Sequence, residues 1–339
     1  MALICSIVFV YFLSCASSPT PSAHLTQEDI AKILSAPDKQ LKNFAFDPKT
    51  TLNSRIKPIP NILLTAWQEL DEREDYAAYT PNPDELKIIK YAISTLPPLC
   101  RQAMEERLIG IYFVSNFISS GATDWIIDQD NKIYTYMIFN PDTIKMNISE
   151  LLTKKEKTSF INNDTEFNIK IDVGSIHNSF LYILLHESTH VVDYIYNITP
   201  FAEPVISQIQ PGRPHETAFT TSKWNSYNES KTKYSFRNAV SFYGIGKPAS
   251  MKISEASKIY RALNNSPFIS LYGSLNWAED LAEFVSFYHL TEILGLNYTI
   301  NVFRSDKLVY SIEPTKNKKI RDQFKHLQVF YSQDLSDSK

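Results

Sequence analysis

The stretch LLHESTHVVDY, residues 184–194, places two histidines four positions apart inside an apolar segment. On a helix, positions i and i+4 share a face, so His186 and His190 would present both imidazoles to one point. Glu187 follows the first histidine and would reach a water molecule held there. A buried helix carries such polar groups only where they have partners, so the segment predicts a metal-binding helix. The alternative is a half-exposed helix whose two histidines are merely hydrogen-bonded.

Two histidines do not complete a catalytic zinc site, so a third ligand is required. The metzincin class would need glycine at position 193 and histidine at position 196, whereas this chain has Asp193 and Tyr196. A second segment, NWAEDLAEFVSFY (276–288), carries Glu279 and Glu283 four positions apart on one face of an otherwise apolar helix. Glu279 would bind zinc, and Glu283 would hydrogen-bond the second nitrogen of a ligand histidine. The alternative for this pair is a solvated acidic face.

The two segments together resemble gluzincin metallopeptidases related to the anthrax lethal factor catalytic domain and the Pro-Pro endopeptidases. In that group the second segment reads Ser-x-Tyr-Gly-x-x-Asn-x-x-Glu-x-x-Ala-Glu, and SLYGSLNWAEDLAEF (270–284) has a matching residue at every specified place. The group also favours an aspartate three residues after the second histidine, where this chain has Asp193. The resemblance is confined to these two segments.

The resemblance implies a role for each matching residue. The zinc ligands would be His186, His190 and Glu279. Glu187 would be the general base, and Tyr272 would stabilise the oxyanion of the tetrahedral intermediate, with Tyr243 in the similar string SFYG as the rival. Glu283 and Asp193 would support the ligands, although Asp193 is equally consistent with a plain surface position.

The resemblance also implies a fold and a mode of substrate binding. The expected fold is an α+β, zincin-like metallopeptidase domain with a small mixed β-sheet and a buried active-site helix. An edge strand of that sheet would pair with extended substrate, and either KIYTYMIFN (132–140) or TDWIID (123–128) would serve. The gap between the two zinc-binding segments contains a polar insert at about 200–250, expected to be a lid, an exosite or an autoinhibitory loop.

Composition excludes several classes of function. The chain has 339 residues and a net charge of −3, so no overall field attracts nucleic acid or an anionic membrane. Short basic clusters such as KKEK (154–157) are predicted to lie on solvated loops. Cys100 is the one cysteine beyond residue 15, so an intramolecular disulfide framework is excluded. Cys100 is predicted to be a buried small hydrophobic residue.

The N-terminus, MALICSIVFVYFLSC, is apolar and too short to span a bilayer comfortably, which predicts an export signal. Its end resembles a bacterial lipobox, with Cys15 as the lipidated residue. The alternative is cleavage near Ser17 and free secretion. We therefore expect an exported cell-envelope lipoprotein, at the outer membrane or surface, or else a secreted protein.

Three regions follow from the pattern along the chain. Residues 1–15 are the signal segment, residues 16–60 a tether with a docking segment, and residues 61–339 the catalytic domain. Ring-rich alternating stretches predict strands at 109–117, 123–128, 132–140 and 167–173, and apolar periodicity predicts helices at 178–196, 252–264 and 275–293. A polar tail is expected at the C-terminus.

The expected function is hydrolysis of peptide bonds by a monomeric zinc endopeptidase whose partner is a protein or peptide substrate. An exported surface-binding lipoprotein that keeps the zincin fold without turnover is the alternative.

Overall fold

The computed structural model describes residues 26–200, 203–210, 216–244 and 247–332. The predicted signal segment and Cys15 lie outside the described residues. The helices, in chain order, are α1 (Gln27–Ser35), α2 (Asn61–Leu70), α3 (Pro83–Ser94), α4 (Pro98–Arg107), α5 (Ile148–Lys157), α6 (Ser179–Tyr196), α7 (Pro204–Ile209), α8 (Ala256–Asn264), α9 (Trp277–Tyr288) and α10 (Lys318–Arg321). The strands are β1 (Ala77–Tyr79), β2 (Leu108–Ser115), β3 (Gly121–Ile127), β4 (Ile133–Phe139), β5 (Phe160–Ile161), β6 (Phe167–Asp172), β7 (Trp224–Ser226), β8 (Glu229–Ser230), β9 (Met251–Lys252), β10 (Thr299–Arg304) and β11 (Lys307–Ile312). This α+β composition agrees with the predicted class.

The largest sheet has four strands in the order β1-β2-β4-β3. Strands β2 and β4 are parallel, and the other two pairings are antiparallel, so the sheet is mixed. Strand β3 lies at the edge and β4 lies inside, so of the two stretches considered for the edge strand, TDWIID has that position. The four predicted strands all form, with ends shifted by at most two residues.

Helix α6 is buried along most of its length, as predicted. The Asn178 side chain accepts a hydrogen bond from Phe180 N at its start, and Asn197 ends the helix in the left-handed conformation with φ 61°. Helices α4 and α9 and strand β3 pack against it. No helix among the described residues has both the length and the apolar character needed to cross a membrane.

Residues 26–60, which the sequence predicts as part of a tether with a docking segment, pack onto the sheet. Ile30 and Ile33 of α1 are buried in one cluster with Trp125 and Ile127 of β3. The buried guanidinium of Arg55 donates to the carbonyl oxygens of Met104 and Leu108 at 2.7 Å each. These contacts join the N-terminal residues to the edge strand and to the end of α4.

Two regions differ from the predictions. The insert at about 200–250 was expected to be polar, yet its described part sends Phe219, Trp224 and Phe236 into the main core. The C-terminal region was expected to be a polar tail, yet β10 and β11 form a hairpin that pairs with β6. In both cases a few large apolar residues, spaced among polar ones, bury enough surface to order the segment.

Candidate metal centre

Three buried side chains from two helices converge on one point. Helix α6 supplies His186 and His190, and α9 supplies Glu279. His186 Nε2 lies 3.0 Å from Glu279 Oε2 and 3.3 Å from His190 Nε2, and His190 Nε2 lies 3.8 Å from Glu279 Oε2. The structure therefore brings together the three predicted ligands, and their donor atoms all lie within 4.8 Å of one another.

These separations fit a small tetrahedral ion. With metal–ligand bonds of about 2.0–2.1 Å, neighbouring ligand atoms of a tetrahedral zinc site are about 3.3 Å apart. The position of Glu279 is fixed by the start of its helix, where the Asn276 side chain accepts hydrogen bonds from the amides of Ala278 and Glu279 at 3.0 and 2.9 Å. The motif asparagine is thus the N-cap that places Glu279 in the first turn of α9.

The two histidines differ strongly in basicity. Burial disfavours the charged form of His186, but the nearby carboxylates of Glu279 and Glu283 outweigh burial and raise its pKa to about 9. Burial lowers the pKa of His190 to about 4. Because a metal needs both rings neutral, an ion at this point would take the place of the proton on His186.

Glu283 lies behind His186, on the side away from Glu279. Its Oε1 is 3.2 Å from His186 Nδ1, off the direction of the ring N–H bond. Glu283 also accepts hydrogen bonds from the Tyr182 phenol and from Ser270 Oγ, the latter at 2.6 Å. Burial opposes its ionisation, but Lys155, His186 and Ser270 together lower the pKa of Glu283 to about 2. The sequence predicts a hydrogen bond between Glu283 and the second nitrogen of a ligand histidine. The structure brings the two groups within 3.2 Å without that hydrogen bond, so the bond stays a prediction.

Lys155 contradicts the prediction that the KKEK cluster lies on a solvated loop. The cluster is the last turn of α5, and Lys155 is only 8% exposed. Its ammonium is 3.6 Å from Glu283 Oε1 and 3.4 Å from the ring centroid of Tyr272. Leu151 and Glu156 of the same helix are also buried. The apolar residue four positions before Lys155 was the signal that this lysine faces inward.

Glu187 is held from the edge strand. Thr123 Oγ1 of β3 donates to Glu187 Oε2 at 2.7 Å and lies 3.1 Å from the Glu187 carbonyl oxygen. Gly121, two residues earlier, allows the close approach of strand and helix, because a Cβ there would be 2.8 Å from Ile183 Cγ2 and 3.1 Å from Glu187 Cγ. Thr123 and Gly121 were missed by sequence reasoning, since nothing in a single strand shows which helix it contacts.

Both candidate tyrosines reach the site. Tyr272 and Tyr243 line a cavity of about 30 Å³ together with His186 and Glu187. The Tyr272 ring is buried against His186, with centroids 5.7 Å apart, and the Tyr243 hydroxyl lies 3.1 Å from Ser120 Oγ. Tyr243 has φ 57°, a costly conformation for a tyrosine. The geometry does not choose between the two, and the preference for Tyr272 stays a prediction.

Asp193 lies near the end of α6, where its carboxylate accepts hydrogen bonds from Thr199. The distances are 2.6 Å to the Thr199 amide and 2.5 Å to its hydroxyl. These bonds fix the turn that follows the helix. Support of a ligand by Asp193 stays a prediction.

The charges around the cluster favour a cation. Glu187, Glu279 and Glu283 are three buried carboxyl groups, and Lys155 is a single buried ammonium among them. Counted as ionised, these four side chains carry a net charge of −2, which a divalent ion would neutralise. The donor set of two imidazoles and one carboxylate is one that zinc and other late first-row ions accept.

Comparison of the chain with protein-family models, with curated proteins and with solved structures gives no match.

Proposed function

We propose that this chain is a zinc-dependent endopeptidase of the gluzincin type. One observation carries the proposal: His186 Nε2, His190 Nε2 and Glu279 Oε2 converge at buried positions directly beside Glu187. Two histidines and a glutamate leave a fourth tetrahedral position open, as catalytic zinc sites do. The resemblance of residues 270–284 to the second active-site segment of the lethal factor and Pro-Pro endopeptidase group supports the same assignment.

The chemistry divides among the side chains of the site. When bound, a zinc ion supplies a Lewis acid that polarises the peptide carbonyl and acidifies a water molecule. Glu187 takes the proton from the attacking water and passes it to the leaving amine. Tyr272 donates its phenol hydrogen to the developing oxyanion, an interaction worth a few kcal/mol in a water-poor site. Glu283, 3.2 Å from His186 Nδ1, would favour a proton on that nitrogen and so leave Nε2 free for the metal.

Substrate would lie along β3 as an added strand. The strand is at the sheet edge, and its residue Thr123 contacts the general base. Backbone pairing with such an edge gives affinity that does not depend on sequence, while pockets for alternate side chains give specificity. The N-terminal sequence supports the further proposal that the enzyme acts after export, as a lipoprotein anchored through Cys15 or as a secreted protein.

A metal-bearing binding protein without turnover is the second candidate. The cavity beside Glu187 has a volume of about 30 Å³, room for roughly one or two water molecules and not for a peptide. A peptide would have to lie outside this cavity, along the edge of β3, whereas a binding protein needs only the metal site.

Metal content and peptide cleavage, measured on the same preparations, test the proposal. Wild-type protein is expected to hold one zinc per chain and to cleave members of a random peptide library. Glu187→Gln should keep zinc and lose cleavage, Glu279→Ala should lose zinc affinity, and the exposed Glu74→Gln should match wild type. A wild-type chain that takes up no zinc would overturn the metal site. Zinc uptake with no cleavage of any library member would favour the binding protein.

A further inference from the structure

The outer edge of β3 is covered at its Ile127 end by the chain's own N-terminal residues. We call residues 36–43, the segment that follows α1, the N-terminal strap. Gln40 of the strap pairs with Ile127 as a parallel bridge, in the place where an added strand would lie. The Lys39 side chain is buried at the neighbouring position, with Nζ 2.6 Å from Asp124 Oδ2 and 4.4 Å from the ring centroid of Trp125.

The outward backbone groups of Trp125 already have partners inside the chain. The Trp125 amide donates to Asp124 Oδ1 at 2.7 Å, and its carbonyl oxygen lies 3.4 Å from Lys39 Nζ. An incoming strand would have to displace both interactions to pair at Trp125. Capping an edge with a lysine and a crossing segment is a common way to prevent strand addition.

The strap is anchored and does not merely lie on the surface. Ile30 and Ile33, on the helix that precedes it, are buried in the same cluster as Trp125 and Ile127. The Trp125 indole nitrogen donates to Glu203 Oε2 at 2.6 Å, which ties this part of β3 to the start of α7. Moving the strap away would expose this apolar cluster to water.

The reacting bond lies close to this closed end. Glu187 contacts β3 at Thr123 and, by close packing, at Gly121. Trp125 follows Thr123 by two residues, which is about 7 Å along a strand. A peptide bound on β3 therefore meets Lys39 about two residues from the bond that would be cleaved beside Glu187.

We propose that the N-terminal strap, through Lys39 and Gln40, limits the substrate to two or three extended residues on the Ile127 side of the cleaved bond. The proposal rests on the proposed peptidase function and names its substrate class: peptides cut near one end, or chains that bend away from the sheet at that point. For a peptide antiparallel to β3, the restricted residues are those that precede the cleaved bond. For a peptide parallel to β3, the restricted residues are those that follow the cleaved bond.

A length series of peptides tests the restriction in the full, metal-loaded chain. A peptide selected from the library would be extended one residue at a time at either end, and kcat/KM measured for each. On the Gly121 side of the cleaved bond, each added residue should raise kcat/KM until backbone pairing with β3 is complete. On the restricted side, extension beyond the third residue should change kcat/KM by less than about twofold, because no further backbone hydrogen bond forms.

Lys39→Ala supplies the matched variant, because it removes the side chain that lies against Trp125 at the edge of β3. For peptides that are long on the restricted side, this variant should raise kcat/KM by about three- to tenfold, because one or two further backbone hydrogen bonds can form. For short peptides, kcat/KM should stay unchanged. Lys39→Arg, which keeps a cation there, should behave as wild type. Fluorescence anisotropy of labelled peptides on Glu187→Gln gives the same comparison for binding, without turnover.

The outcomes separate this inference from the proposed function. If peptides are cleaved and both ends show equal gains with length, the restriction is wrong and the peptidase stands. If folded Lys39→Ala keeps the wild-type length profile, Lys39 is not the block. If no peptide is bound or cleaved, both proposals fail. The wild-type series decides the restriction even where Lys39→Ala does not fold.

Discussion

Thr123 Oγ1 lies 2.7 Å from Oε2 of Glu187, so the edge strand of the sheet touches the carboxylate proposed as the general base. The residue that orients the base therefore belongs to the same strand that would bind substrate.

Thr123→Val should slow catalysis without removing metal. The change keeps the shape of the side chain and deletes one hydrogen bond to a charged group, worth about 1.5–3 kcal/mol. We expect kcat to fall by roughly 10- to 100-fold, with zinc content unchanged. Thr123→Ser, which keeps a hydroxyl, should recover most of the rate. Loss of zinc from Thr123→Val would instead mean that the strand supports the ligands.

Metal uptake should release a proton near neutral pH. His186 has a pKa of about 9 in the metal-free protein and must be neutral to bind an ion, whereas His190, with a pKa of about 4, is already neutral. Apparent zinc affinity should therefore rise about tenfold per pH unit between pH 6 and 8. Calorimetry in buffers of different ionisation enthalpy would count the protons. A count of zero at pH 7 would contradict this assignment.

Glu156 should make stability fall as pH rises. It is 5% exposed, and burial raises its pKa from the ordinary 4.5 to about 7, although Tyr260 donates a hydrogen bond to it at 2.8 Å. The folded state therefore favours the protonated form. That contribution is complete below about pH 4.5 and is lost as pH rises through 7, by roughly 2–3 kcal/mol in the free energy of unfolding.

Glu156→Gln removes this titration and keeps an acceptor for the Tyr260 hydroxyl. The variant should equal wild type near pH 5 and exceed it by roughly 2–3 kcal/mol at pH 8. Urea unfolding at several pH values measures the difference. The exposed Glu74→Gln is the control, expected to follow wild type throughout. A constant difference between Glu156→Gln and wild type across pH would argue against the raised pKa.

The stability of the insert should depend on a buried ion pair between Lys223 and Asp280 of α9. Lys223 Nζ lies 2.5 Å from Asp280 Oδ2, and both side chains are buried. Removing one charge leaves the other uncompensated in the core, so Lys223→Met and Asp280→Asn should each cost about 3–5 kcal/mol.

The double variant Lys223→Met/Asp280→Asn should be more stable than the sum of its single changes implies. Thermal or urea unfolding of the three proteins completes the cycle. Additive losses would show that the two charges do not interact. A large loss for one single variant alone would indicate another partner for that residue.

The sequence predicts those parts of the site whose residues are close together in the chain. His186, Glu187 and His190 lie within one helical turn and a half, so helix geometry alone brings them to one face. Asn276 and Glu279 are likewise three residues apart, an N-cap and the first turn it begins. The mixed-sheet strands were also readable, because each is a short run of alternating or aromatic residues between turn signals.

Contacts between residues that are far apart in the chain could not be predicted in this way. Thr123 and Glu187 are 64 positions apart, and Tyr182 and Glu283 are 101 positions apart. Such contacts depend on how strands and helices pack, and packing is set by the whole core. Lys155 is an example. Its charge predicts a solvent-exposed position, but the packing of α5 on the core turns its side chain inward.

By itself, the sequence determined the helix that carries His186 and His190, the N-capped segment that carries Glu279 and the α+β class, because these follow from periodicity and short spacings. The pairing of Glu279 with the two histidines was predicted only through the resemblance, since 89 positions separate it from His190. Tertiary structure alone decided which strand forms the edge, that Thr123 contacts Glu187, that the described part of the insert packs into the core, and that Lys39 lies against the edge strand. Those features join residues far apart in the chain, and the free energy that selects them comes from burial shared by many residues rather than from any local pattern.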